Sequence, residues 1–558
     1  MSKQGTERGL ECGLQGSLEG GFKGGLRQSM TWLHTWTGLL LGVVLYFMFI
    51  TGSFGYFHDE IDRWMRPELP AWALLPDTQQ MIEHGVARLQ QRMPDAKAWY
   101  VSMPEPRAAQ AVSIYGEPKP VPSGPEVKPL EEWLDPATGA PFAGVRATGG
   151  GDVLYRMHYS LHYIPYDVAI YVVGVATMFM FIAIATGIVV HKKIFKDFFT
   201  FRPAKGQRSW LDAHNLTSVM ALPFFIVITY SGLVFYTYEY LPSVKWAAYG
   251  VGEKGDKAME REQYADYAVA ETDPAGRKAV LLSVAPLVAQ AEARWGAGEV
   301  SFLMVRNPGD ANARVRIDRR DPPGTLTRRS EMLVFDGTSG ALLQAATPGR
   351  ASADRVFADV TLALHEGLFA APLLRWLYFA SGLLGAAMIA TGLVLWTTKR
   401  RQKLKADESA AAGLRFVERF NVGIIAGLPI AVAVYFWANR LLPAQWEARA
   451  EWEMHALFIA WALALLHAAA RPATRAWREQ WWAAALLFAL LPLLNALTTD
   501  IHLGRTLPAG DWVLAGFDLT ALVAGLVFCL IAWRPAARGA KPRVPGGAAS
   551  ADRREAVA

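Results

Sequence analysis

Stretches of about twenty residues without a charged side chain recur along this chain. A bilayer core takes ~20 apolar helical residues and penalises buried charge, so such stretches point to a membrane-spanning bundle. Eight runs qualify: Met30–Phe57, Val168–Val190, and roughly Leu216–Tyr238, Trp376–Thr398, Phe420–Ala438, Met454–Ala470, Trp481–Leu497 and Trp512–Trp533. The last contains Asp518 at its middle. The residues before the first run are Gly-rich and mixed in charge, and the run itself is too long for the h-region of a cleavable signal. It is expected to remain as an anchor.

Orientation follows from the basic residues. Lys192, Lys193, Lys196, Arg202, Lys205 and Arg208 follow the second run, and Lys399, Arg400, Arg401 and Lys403 follow the fourth. Arg471, Arg475 and Arg478 follow the sixth, and Arg534, Arg538, Lys541 and Arg543 the eighth. Positive loops stay inside, so eight crossings with both termini cytoplasmic satisfy every cluster. The expected organisation is a tail over 1–29, spans over 30–57, 158–191, 211–238 and 361–398, and external regions over 58–157 and 239–360. Cytoplasmic loops cover 192–210 and 399–415, a further four-helix block covers 416–533, and a second cytoplasmic tail covers 534–558. Each external region carries a comparable turn signal near its end, Asp135-Pro136-Ala137-Thr138-Gly139 and Asp336-Gly337-Thr338-Ser339-Gly340.

Composition narrows the chemistry. A formal charge of only +6 in 558 residues gives little support to nucleic-acid binding. The two cysteines, Cys12 and Cys529, stand near opposite ends and form no CxxC pair. This argues against a disulfide scaffold, covalent haem attachment, an iron–sulfur cluster and a Cys-rich zinc site. Metal chemistry would have to rest on His or carboxylate ligands.

The chain also repeats itself. His34 precedes Thr51-Gly52 by 17 positions, and His214 precedes Ser231-Gly232 by the same 17; His162 precedes Thr186-Gly187 by 24 and His365 precedes Thr391-Gly392 by 26. A unit of helix, external region and helix is thus expected twice. The small pairs permit close approach by a neighbouring group or a planar ligand. Of eleven histidines, only His84 lies well away from a candidate span. They fall into an inner tier of His34, His191 and His214, and an outer tier of His58, His158, His162 and His365. Imidazoles at membrane depth are costly without a partner, and paired neutral imidazoles from facing helices suit bis-His ligation of b-type haem. Metal transport, a proton relay and simple snorkelling at the interface are the alternatives.

Several segments then read together: Trp32-Leu33-His34-Thr35-Trp36-Thr37-Gly38, Asp59-Glu60-Ile61-Asp62, His158-Tyr159-Ser160-Leu161-His162, His191-Lys192-Lys193, Arg208-Ser209-Trp210-Leu211-Asp212-Ala213-His214-Asn215 and Leu364-His365-Glu366-Gly367. In this order they resemble the PepSY-associated transmembrane helix family, iron-regulated inner-membrane proteins that include ferric-siderophore reductases. The resemblance covers roughly residues 30 to 400. It implies an all-helical polytopic membrane protein of about eight spans, with a duplicated four-helix haem-binding core and two α+β periplasmic PepSY-like domains. It further implies two haems b and an oxidoreductase passing electrons from quinol or a cytoplasmic reductase to a periplasmic ferric siderophore, releasing Fe(II); the alternatives are a metal- or proton-coupled transporter subunit and a haem-free PepSY regulatory membrane protein. Pairing the repeat-equivalent residues gives His34 with His214 for the inner haem and His162 with His365 for the outer. His191 is the alternative inner ligand and His158 the alternative outer one. Lys192, Lys193 and Arg208 are candidates to neutralise propionates, though inside-positive topology explains them equally, and Asp212 is expected to cap its helix.

The final block departs from that pattern. His455 and His467, twelve positions apart, rotate by about 120° from one another and share no helix face. Lipid, quinone or a partner protein is the expected contact of this block, with Trp437, Trp446, Trp452, Trp481, Trp482 and Trp512 as interface anchors. No GxGxxG motif follows a strand, so an NAD(P)H site within this sequence is not expected.

Overall fold

A computed structural model describes residues 25–533, apart from 71–74, 109, 121–126, 192–195, 197, 264–268, 323, 348–352 and 405–407. Lys192 and Lys193, Cys12 and the basic residues beyond 533 lie outside the described residues.

Long apolar helices organise the molecule. α1 (Leu26–Gly55) leads into the short α2 (His58–Met65), and α3 (Thr78–Arg92) opens the first external region. After that region, α4 (Gly150–Ser160) precedes the spanning α5 (Tyr166–Val190). α6 (Gln207–Met220) and α7 (Leu222–Val234) are together long and apolar enough for one further crossing and are bent by 67° at the break at Ala221. Pro223 lies in the first turn of α7, where its missing N–H and its ring end the ladder of α6. Seven helices are long and apolar enough to span, or eight with the bent pair counted as one crossing, among the described residues.

Each external region contributes strands to one common sheet. β1 (Ala98–Ser102), β2 (Val112–Glu117) and β3 (Leu130–Leu134) come from the first; β4 (Val300–Arg306), β5 (Arg314–Arg319), β6 (Met332–Asp336) and β7 (Leu342–Ala346) come from the second. The order is β3-β2-β1-β4-β5-β6-β7, antiparallel throughout, with β1 joined to β4 from Ala98↔Arg306 to Ser102↔Phe302. One continuous sheet therefore replaces the two separate α+β units expected from the sequence. A three-stranded and a four-stranded sheet would each leave an open edge at β1 or β4, and pairing them satisfies both rows of backbone groups. α3 and α8 (Ala285–Trp295) cover one face, where Ile82, Leu89, Ile114, Val288, Leu303 and Val315 are fully buried. Burial of each such side chain stabilises by roughly 1.5–3 kcal/mol.

The two turn signals fold alike. Asp135 Oδ1 accepts from the backbone N–H groups of Ala137 and Thr138, and Asp336 Oδ1 from those of Thr338 and Ser339, at 2.9–3.0 Å. Gly139 and Gly340 follow at φ +69° and +74°, a conformation that suits glycine.

α9 (Ala353–Glu366) and the spanning α10 (Pro372–Lys403) complete the first helical group. The last block comprises α11 (Glu408–Ile425), α12 (Gly427–Leu441), α13 (Arg449–Ala470), α14 (Ala473–Thr498) and α15 (Trp512–Trp533). It docks on α1: Tyr46 Oη donates to the Ile425 carbonyl at 2.8 Å, and Phe47 stacks on Trp461 at 5.5 Å. Asp518 is fully buried in α15 and accepts from Trp64 Nε1 and Asn495 Nδ2, both at 3.0 Å, which explains how a carboxyl is tolerated within an apolar helix. Asp212 does not cap α6, whose N-cap is Gly206; it lies inside the helix and receives Arg202 through both the guanidinium and the backbone N–H.

Candidate functional site

Two cavities lie one above the other within α1, α5, α6, α7 and α10 and the helices that enter them. The inner one, of about 290 Å³, is lined by His34 of α1, His191 at the end of α5 and His214 of α6. The outer one, of about 460 Å³, is lined by His58, His158 of α4 and His365 of α9, with Tyr155, Tyr236 and Arg328 at its wall. Leu45 and Met180 line both, so the septum between them is apolar.

In each cavity two imidazoles approach one another. The rings of His34 and His214 are 6.2 Å apart, centre to centre, at 69°; those of His158 and His365 are 6.3 Å apart at 21°. The outer neighbour of His365 is thus His158, in place of the expected His162. His162 stacks on Phe458 at 5.5 Å instead. The reason is local: α4 ends at Ser160, and Leu161, His162 and Tyr163 all take left-handed φ values, which turn His162 off the helix face that carries His158.

The small pairs are where the imidazoles rest. A methyl group added at Gly187 would stand 3.3 Å from His34 Cε1, at Gly392 3.2 Å from His214 Cε1, and at Gly232 3.2 Å from His365 Cε1. His158 lies over Gly52, 3.5 Å from the same position there. The exchange is reciprocal: α1 gives His34 to α5 and receives His158 from the helix before α5, while α6 gives His214 to α10 and α7 receives His365 from the helix before α10. The same bond recurs as well. His34 Nδ1 meets the Ala183 carbonyl at 2.9 Å and His214 Nδ1 the Met388 carbonyl at 2.8 Å, each four residues before the glycine. His365 Nδ1 meets Ser231 Oγ at 2.9 Å, and His158 Nδ1 the Tyr155 carbonyl.

These contacts fix the tautomer. A carbonyl oxygen only accepts, so Nδ1 carries the proton and Nε2 is the acceptor nitrogen of the neutral ring. Ser231 spends its own proton on the Val227 carbonyl at 2.6 Å and so accepts from His365. Each cavity is therefore lined by two imidazoles whose Nε2 is the acceptor nitrogen; the rest of the inner wall is mostly apolar, and the outer wall also carries Tyr155, Tyr236 and Arg328.

A metal centre does not follow. Among the described residues no group of three or more His, Cys, Asp or Glu is placed to hold a metal ion. The expectation of two haems b is corrected on that finding. His58 pairs with Asp59 at 3.1 Å, and His455 and His467 face Tyr163 and Glu479, outside both cavities.

Sequence reasoning overlooked the polar groups that support the outer tier. Asp62, Thr148, Asn439, Arg449 and Glu453 converge near the start of α4. The one legible signal was charge beside apolar runs, at Arg449 and Glu453 just ahead of the sixth.

A relative matches most of this chain. The uncharacterised protein PA4219 of Pseudomonas aeruginosa (strain PAO1) is 26% identical over 409 residues, covering 71% of this chain and 98% of the relative. Residues 31–399, which contain both cavities' histidines and the whole sheet, match the PepSY-associated TM region, and the chain belongs to that family.

Proposed function

We propose that this protein binds a lipid-soluble small molecule carrying hydroxyl donors, quinol in chemical class, at two depths of the membrane, and that binding serves a redox-linked or regulatory role of the PepSY-bearing side. The observation that carries this reading is the shared tautomer: paired Nε2 acceptor nitrogens on the imidazoles that line the two cavities. A buried acceptor left without a donor costs about 1–3 kcal/mol, so such a cavity favours a ligand that donates. The volumes, about 290 and 460 Å³, suit one aromatic head group each. A quinol presents two O–H donors on an apolar ring, and membrane lipid supplies it directly.

The test is a titration of purified protein with a short-chain quinol, followed through quenching of Trp396, which lines the inner cavity. Saturable quenching is expected, with the matching quinone, which has only acceptors, bound at least tenfold more weakly. Equal affinity for the two forms, or no saturation, would overturn the reading.

A further inference from the structure

We propose that α13 of the C-terminal block positions the outer imidazole His158, because it holds both ends of the short helix that carries it. This stands apart from the identity of any ligand. α4 is only eleven residues long, and its N-cap, Gly149, has no side chain with which to cap it. The orphan N–H groups are satisfied from elsewhere in the chain. Glu453 Oε2 accepts from the Gly149 N–H at 3.1 Å and from Thr148 Oγ1 at 2.6 Å, while Asp62 Oδ1 accepts from the Gly151 N–H at 2.9 Å. Glu453 is fully buried and is itself held by Asn439 and Arg449. The fit is close: a methyl group at Gly151 would fall 2.3 Å from the His58 carbonyl oxygen.

The other end is strained. Leu161, His162 and Tyr163 lie at φ 53°, 36° and 51°, three successive side-chain-bearing residues in the left-handed region. Such a run persists only where its surroundings over-determine it. Here α13 supplies the surroundings: His162 lies flat on Phe458, and Tyr163 stacks on His455 at 5.8 Å with its hydroxyl bonded to His455 Nδ1. Glu453, His455 and Phe458 sit within two turns of one helix. They are positioning residues, and His158 lies between the two points they fix.

Diethyl pyrocarbonate modifies accessible neutral imidazoles, and peptide mass spectrometry reads its rate at each histidine of the full-length protein in detergent. Glu453→Ala, and separately H455A with F458A, are expected to raise the rate at His158 at least fivefold while His34 and His214 stay within twofold of wild type. Glu453→Gln keeps an acceptor for Gly149 and Thr148 but sets an NH2 against the donors Asn439 and Arg449, so its rate should fall between those of wild type and Glu453→Ala. An unchanged rate at His158, or equal acceleration at both depths, would overturn the proposal. If Glu453→Ala fails to fold, the H455A and F458A variant decides alone. No ligand enters the measurement, so failure of the binding reading leaves its outcome untouched.

Discussion

At Gly187, Gly232 and Gly392 a single methyl group separates a seated imidazole from a displaced one. Each methyl would come to 3.2–3.3 Å from a ring carbon whose own nitrogen is tied to a neighbouring helix. Gly392→Ala should therefore weaken quinol binding at the inner tier about tenfold, leave the outer tier unchanged, and destabilise the protein by roughly 1–3 kcal/mol through overpacking. Separate titrations and a thermal melt check this. Asp336 belongs to the same scale. Burial alone would raise its carboxyl, but hydrogen bonds from Thr338 and Ser339 prevail and hold it at about 2. A depressed carboxyl contributes stability above its unfolded pKa of about 4, and that contribution is lost as pH falls toward 2. The sheet of wild type should lose stability across that window, and Asp336→Asn should flatten the loss, as followed by near-ultraviolet circular dichroism.

The helices were legible in the sequence because charge-free length is a local property, and so were the His and Ser/Thr-Gly spacings within each segment. What the spacings leave open is which histidine meets which glycine. His158 and His162 are four apart, so one continuous helix would present both on nearly the same face; the end of α4 at Ser160 separates them. The join between β1 and β4 was illegible for another reason. It pairs segments about 200 residues apart, and alternation within a strand carries no record of a partner that distant. β4 is flanked on both sides, so a proline at Val305 should remove a ladder hydrogen bond and cost roughly 3 kcal/mol or more. Hydrogen exchange should then rise in β1 and β2 as well as in β4 and β5. Continued protection of β1 and β2 would contradict a shared sheet.

For the whole molecule, all seven strands share one sheet, so with α6 and α7 counted as one crossing the sheet and the loops after α5 and α10 lie on opposite faces. In a background lacking Cys12 and Cys529, an impermeant maleimide should label Glu131→Cys in intact spheroplasts and Lys403→Cys only after lysis; the reverse would invert the topology. The two helical blocks share one core through α1, so the C-terminal block is part of the frame around the cavities. Native mass spectrometry of the protein released from detergent tests the two-tier account most directly. Two added masses of a lipid-soluble hydroxyl-bearing molecule are expected, one lost on replacing His34 and His214 by Ala and the other on replacing His158 and His365. A chain that emerges without such masses even after quinol is supplied, or that carries about two b-type haems by mass and absorption, would contradict it.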